Sequence, residues 1–87
     1  VTLSAQVSLY PLKQARLGPA IEALLAAFRH HPVEVRVGPM STYLSGEVEQ
    51  VFAALREGFE RAAALGPTVL NVTISDACPT ELPEAPR

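Results

Sequence analysis

The stretch VGPMSTYLSGEVEQVF, residues 37–52, changes its periodicity halfway along. Gly38-Pro39 is a turn signal, and the run Met40 to Ser45 predicts a strand. From Gly46 as far as Leu65 the apolar positions Val48, Val51, Phe52, Leu55 and Phe59 recur every three or four residues, the spacing of one helix face. Glu47 and Glu49 stand near the positive N-terminal end of that helix, and Gly66-Pro67 stops it. A strand therefore hands over almost directly to a helix. Immediately upstream, Val33, Val35 and Val37 alternate with Glu34 and Arg36, a further strand that the Gly38-Pro39 turn joins to its neighbour as a hairpin.

The flanking segments complete the pattern. Thr2 to Tyr10 alternates, with Leu3, Ala5, Val7 and Leu9 on one side and Thr2, Ser4, Gln6, Ser8 and Tyr10 on the other, and Pro11 ends it. Gly18-Pro19 opens a helix whose stripe is Ile21, Leu24, Leu25 and Phe28, closed by His30, His31 and Pro32. Thr68 to Ser75 alternates again, Leu70, Val72 and Ile74 against Val69, Asn71, Thr73 and Ser75. The order strand, helix, strand, strand, helix, strand is satisfied by one four-stranded antiparallel sheet with both helices on one face, because two right-handed crossovers place both apolar stripes on the same side. The fold class is α+β, a ferredoxin-like βαββαβ sandwich with the first and third strands central. Residues 1–79 form this domain, and TELPEAPR, residues 80–87, is Pro- and Glu-rich and predicts a flexible C-terminal tail.

With the helices covering the apolar positions, the opposite sheet face displays Ser4, Gln6, Ser8, Tyr10, Ser41, Tyr43, Asn71, Thr73 and Ser75, with Glu34 and Arg36 toward one edge. A face built only for water carries lysines and glutamates. Neutral hydroxyls and amides instead enter an interface or a closed pocket without the desolvation cost of a charge, provided each finds a partner. The face predicts a cover: a second subunit, a small neutral or aromatic ligand, or both.

Composition narrows the function classes. With 87 residues the chain is one small domain that buries only roughly 60% of its unfolded surface, so assembly would help it. A net charge of −2, with seven scattered basic side chains, provides no phosphate-tracking patch, so nucleic acid is excluded as a partner. Cys78 is the single cysteine, which rules out an internal disulfide and a cysteine-rich metal cage and suits a cytoplasmic setting. No 18-residue apolar run is present, and membrane insertion is not expected. Adjacent His30 and His31 would point about 100° apart on a helix, which disfavours a shared metal and predicts solvated caps on the helix dipole. No histidine lies on a strand near the hydroxyls, and neither Ser-x-x-Lys nor Gly-x-Ser-x-Gly occurs, so no catalytic residue and no cofactor are expected. Glu47 and Asp76 read as a dipole partner and a turn former.

The runs AQVSLYPL at 5–12, VGPMSTYLSGE at 37–47 and VTISDACP at 72–79 resemble the YkoF-like family of thiamine- and hydroxymethylpyrimidine-binding proteins. The resemblance extends nearly to Pro79. It implies a ferredoxin-like domain that binds the pyrimidine part of thiamine without transforming it, for salvage or transport in the cytoplasm. The better-known members carry two such domains in tandem, so a homodimer or homotetramer would supply the equivalent pairing here; Asp76 stands where those members have asparagine. An aminopyrimidine offers ring-nitrogen acceptors and an amino donor, which hydroxyls and amides match in a dry cavity. The expected ligand-binding residues are Ser8, Tyr10, Ser41, Thr42 and Asn71, with Met40 and Thr73 as walls and Ser45 at the helix start. The competing reading is a structural or regulatory homo-oligomeric module whose polar sheet face is a subunit interface.

Overall fold

A computed structural model describes residues 2–13, 16–39 and 41–77 of the chain. The elements run β1 (Thr2–Pro11), α1 (Gly18–Phe28), β2 (Glu34–Val37), β3 (Thr42–Glu47), α2 (Val48–Ala63) and β4 (Thr68–Ser75). All strand pairs are antiparallel, in the order β2-β3-β1-β4. This is the ferredoxin-like arrangement, with β3 and β1 in the centre. The tail and Cys78 lie outside the described residues, as does Met40.

Register explains the alternation. Ala5 faces Leu44 on one side and Ile74 on the other, and Val7 faces Thr42 and Val72, so these share the helix-covered face. Pro11 can extend β1 because β3 has already left it at Val7, so only β4 flanks that end, where Pro11 pairs with Thr68. Leu12 then donates its N–H to the Pro67 carbonyl at 2.8 Å, closing the same end of the sheet. Phe28, Leu44, Val7 and Val51 are the largest fully buried side chains, and Leu24, Leu55 and Ala54 pack around them.

Two boundaries differ from the sequence reading. β3 continues through Gly46 and Glu47, paired with Leu3 and Thr2, and α2 starts only at Val48. Gly46 serves the sheet and not the helix start: a Cβ there would stand 3.1 Å from Val33 Cγ1, so the missing side chain lets Val33 fold over the strand. The stripe of α2 is also rotated. Its buried positions are Val51, Ala54, Leu55, Gly58 and Ala62, whereas Phe52 and Phe59 are 51% and 42% exposed. Small residues, not the phenylalanines, face the partner helix, because Gly58 admits Phe28 and Leu24 where a side chain would collide. The helices also stop short of the sheet edges. Val37 and Ile74, expected in the core, are exposed because they sit on the two edge strands.

Candidate functional site

The connection between β2 and β3 builds one wall of a cleft. The Gly38 N–H donates to the Ser41 carbonyl at 2.8 Å, and a Cβ on Gly38 would stand 3.0 Å from that same oxygen, so the tight turn leaves little room for a side chain there. Thr42 follows, in register with Val7 and Val37 on the helix-covered face. Beside it lies a cleft of about 240 Å³ between the sheet and α1, with Val7, Leu9, Ile21, Leu24 and Val37 as apolar walls. Ser8, Gly38, Pro39, Ser41 and Thr42 supply the remainder of its lining. Among the described residues no charged side chain lines it. An ionic group placed there would lose part of its hydration without gaining a counter-charge from the described lining, so the cleft suits an uncharged guest with both apolar faces and hydrogen-bonding edges. Its volume is below the 300–1,000 Å³ or so of sites for drug-sized ligands and matches a single substituted ring.

The expected site residues divide between the two sides of the sheet. Ser8, Ser41 and Thr42 come together at the cleft, although the register of Ser8 with Asn71 is that of the open face. Tyr10, Asn71 and Thr73 belong to the open face, opposite Val69, Ser8 and Gln6 respectively. Ser45 is not at the helix start. It lies inside β3, between Ser4 and Glu34, and is buried. Thr42 on the helix side, behind the sheet from Tyr43, separates the cleft from the polar face that the alternation brings to notice. Val7 and Leu24 belong to the core as well as to the cleft, whereas Ile21 and Val37 are missed as walls by a reading that assigns every apolar position to the core. The signal that could have found them is the Gly38-Pro39 turn ahead of a hydroxyl pair, opposite a helix that opens on Gly18-Pro19.

The open face is ordered in rows. Ser75, Ser4, Ser45 and Glu34 form one, and Thr73, Gln6, Tyr43 and Arg36 the next. On the single chain Gln6, Asn71 and Thr73 are exposed and Tyr43 is half-buried. A larger depression of about 480 Å³ borders Glu47, Val48, Glu49 and Gln50, but these come from one strand-to-helix junction with no opposing wall among the described residues.

The two histidines depart from expectation. They lie past the end of α1, in the turn after Phe28, so helical spacing does not separate them. His30 Nδ1 is 2.8 Å from Glu57 Oε2 and His31 Nε2 is 2.9 Å from Glu57 Oε1, while Arg61 Nε reaches Oε2 at 2.8 Å. Their side chains clasp α2, while their backbone N–H groups donate to the Ala27 and Phe28 carbonyls at the end of α1. Hydrogen bonds from His30 and His31, followed by the charge of Arg61, hold the Glu57 carboxyl below the usual carboxylate range. Among the described residues no group of histidine, cysteine and acidic side chains could hold a metal ion, and no helix is long and apolar enough to cross a membrane.

A sheet of this order with two helices on one face defines a ferredoxin-like α+β domain. The chain belongs to the YKOF-related family, whose sequence model matches residues 2–81. Among solved structures it is similar to a hypothetical protein of Methanocaldococcus jannascii, at 22% identity over 92% of this chain and 84% of that one, with a TM-score of 0.81. A protein of Streptococcus pneumoniae is 26% identical over 86% of each chain, with a TM-score of 0.79. A Thermotoga maritima protein provisionally assigned to thiamine biosynthesis or salvage is 20% identical over 85% of this chain and 82% of that one, with a TM-score of 0.74. No curated protein matches the chain.

Proposed function

We propose that this protein binds the hydroxymethylpyrimidine part of thiamine in the cleft between α1 and the β2–β3 turn, without catalysis, for salvage or transport in the cytoplasm. The observation that carries the reading is the cleft itself, about 240 Å³, uncharged, apolar on its walls, with the Ser41 and Thr42 positions at its rim. The pyrimidine ring is flat and neutral and offers acceptors and an amino donor, which hydroxyls and the turn's backbone groups can satisfy. The cationic thiazolium ring of intact thiamine would have no counter-charge in the cleft, so it would remain outside and contribute little affinity. Membership of the YKOF-related family and the likeness to the Thermotoga protein support the ligand class.

Calorimetric titration with hydroxymethylpyrimidine and with thiamine tests this. One site per chain is expected, with Thr42→Val weakening it roughly 3- to 10-fold, the worth of one hydrogen bond of about 0.5–1.5 kcal/mol. Absence of heat with either compound at millimolar concentration contradicts it.

A second reading, an assembly module, draws on the rows of the open face, which are uncharged except for Glu34 and Arg36 at the β2 edge. It expects Gln6→Ala with Asn71→Ala to lower the assembled mass in sedimentation, in a protein for which neither compound has any affinity.

A further inference from the structure

We propose that the end of the molecule at which the cleft opens docks peripherally on an anionic lipid surface, with its apolar side chains in the headgroup layer and its cations on lipid phosphates. The antiparallel sheet sorts the connections to two ends. β1 stops at Pro11 opposite Thr68, and β2 stops at Val37 opposite Thr42, which itself pairs with Val7. The β1–α1, β2–β3 and α2–β4 connections therefore share one end. Tyr10, Leu12, Leu17, Leu65 and Val69 stand there, each about half exposed, and Ile21 and Val37 are exposed at the mouth of the cleft. Among the described residues only Phe52, Phe59 and Ile74 are large exposed hydrophobics elsewhere, so the open apolar surface is gathered at this end and not scattered.

Charge is divided along the same axis. The charged residues of these connections are Lys13 and Arg16, both positive and both exposed. Glu34, Glu47 and Asp76 stand at the opposite end, where Glu34 opposes Ser45, Glu47 opposes Thr2, and Asp76 follows the pair Ser75 and Ser4. On the helices, Glu22 lies inside α1, and Glu60 of α2 is offset by Arg56 at 3.5 Å. A net charge of −2 repels an anionic surface on average, so this polarity decides which end approaches it. The stems of Lys13 and Arg16 can lie along apolar surface while their charged heads reach the phosphates.

The backbone favours lipid over a protein partner. Groups that enter the boundary between headgroups and acyl chains lose water, so their N–H and C=O must be paired internally. At this end the Leu12 N–H donates to the Pro67 carbonyl and the Gly38 N–H to the Ser41 carbonyl, each at 2.8 Å. The Leu65 and Gly66 N–H groups donate to Ala62 and Ala63 in the last turn of α2, and the Thr68 hydroxyl donates to the Gly66 carbonyl at 2.9 Å. Pro11, Pro19, Pro39 and Pro67 have no N–H to desolvate. Protein interfaces carry about one hydrogen bond per 100–200 Å², and an end whose donors are already engaged or missing offers few. Lipid asks for none, and Tyr10 suits the boundary because its ring is apolar and its hydroxyl can stay wet. The cleft's ligand enters no step of this, so docking and ligand binding fail separately.

The test is co-sedimentation of the full chain with two sets of vesicles, one of phosphatidylcholine alone and one mixed with phosphatidylglycerol. Binding is expected to the mixed vesicles and should weaken as salt rises. It should fall roughly 30-fold in Lys13→Gln with Arg16→Gln, about fivefold for each cation lost. Lipid carrying a nitroxide should broaden the NMR signals of Leu12, Leu17, Leu65 and Val69 in the unmodified protein, a readout that does not depend on how a variant folds. Four results would overturn the proposal: no binding to the mixed vesicles at millimolar lipid, equal binding to both sets, broadening confined to Phe52 and Phe59 on α2, or burial of this end against another protein chain in a lipid-free sample.

Discussion

A Cβ on Gly58 would stand 2.6 Å from Phe28 Cε1 and 2.7 Å from Leu24 Cδ1, closer than packed atoms tolerate. Gly58→Ala gains about 1 kcal/mol of helix propensity but forces the two helices apart, at about 1–3 kcal/mol or more, so a net loss of stability in urea unfolding is expected. Glu57 provides a pH-dependent counterpart. Its carboxyl titrates lower in the folded chain than in the unfolded one, so its contribution is complete above the usual carboxylate range and is lost as pH falls through the lowered folded value. The groups facing it are His30 and His31 from the turn after α1 and Arg61 from α2. Thermal midpoints measured through the acidic range should show the wild-type advantage over Glu57→Gln shrinking as pH falls; a gap unchanged with pH would contradict the clasp. The clasp itself was not legible in the sequence. His30 and His31 are 27 and 26 residues from Glu57, and their convergence depends on where α1 ends and how α2 crosses it.

Among the elements, alternation identified β1 and β4 almost to the residue, because each has one apolar face that must turn inward. Helical spacing identified α2 but misassigned its buried stripe, since a periodicity search rewards large apolar residues and passes over Ala54, Gly58 and Ala62. The energetic consequence can be measured. Phe28→Ala, in the core, should cost about 3–5 kcal/mol, whereas Phe52→Ala, at the half-exposed margin of α2, should cost about 1 kcal/mol. Equal losses in denaturant unfolding would contradict the rotated stripe. The junction at Gly46 and Glu47 resisted sequence reading for a related reason. Glycine before a helix looks like a start signal, and only the approach of Val33 shows that its missing side chain serves the strand's packing.

On the scale of the whole molecule, the sheet separates two surfaces of different chemistry. Behind it, between α1 and the β2–β3 turn, is the uncharged cleft; in front are the neutral rows from Ser4 to Thr73. The candidate site was half legible. Of the residues expected from their hydroxyl chemistry, Ser8, Ser41 and Thr42 line the cleft, Ser8 despite its open-face register, while Tyr10, Asn71 and Thr73 share the open face and do not line it. A hydroxyl residue's type cannot tell the two sides apart, because hydroxyls occur on both; the register of Thr42 with Val7 can.

The central claim, that the guest sits behind the sheet, is tested most directly by following backbone and methyl NMR shifts while hydroxymethylpyrimidine is added to the full chain. The expected result is a saturable set of shifts clustered at Val7, Leu9, Ile21, Leu24 and Thr42. Shifts confined to Gln6, Tyr43 and Asn71, or no shifts at millimolar ligand, would contradict it.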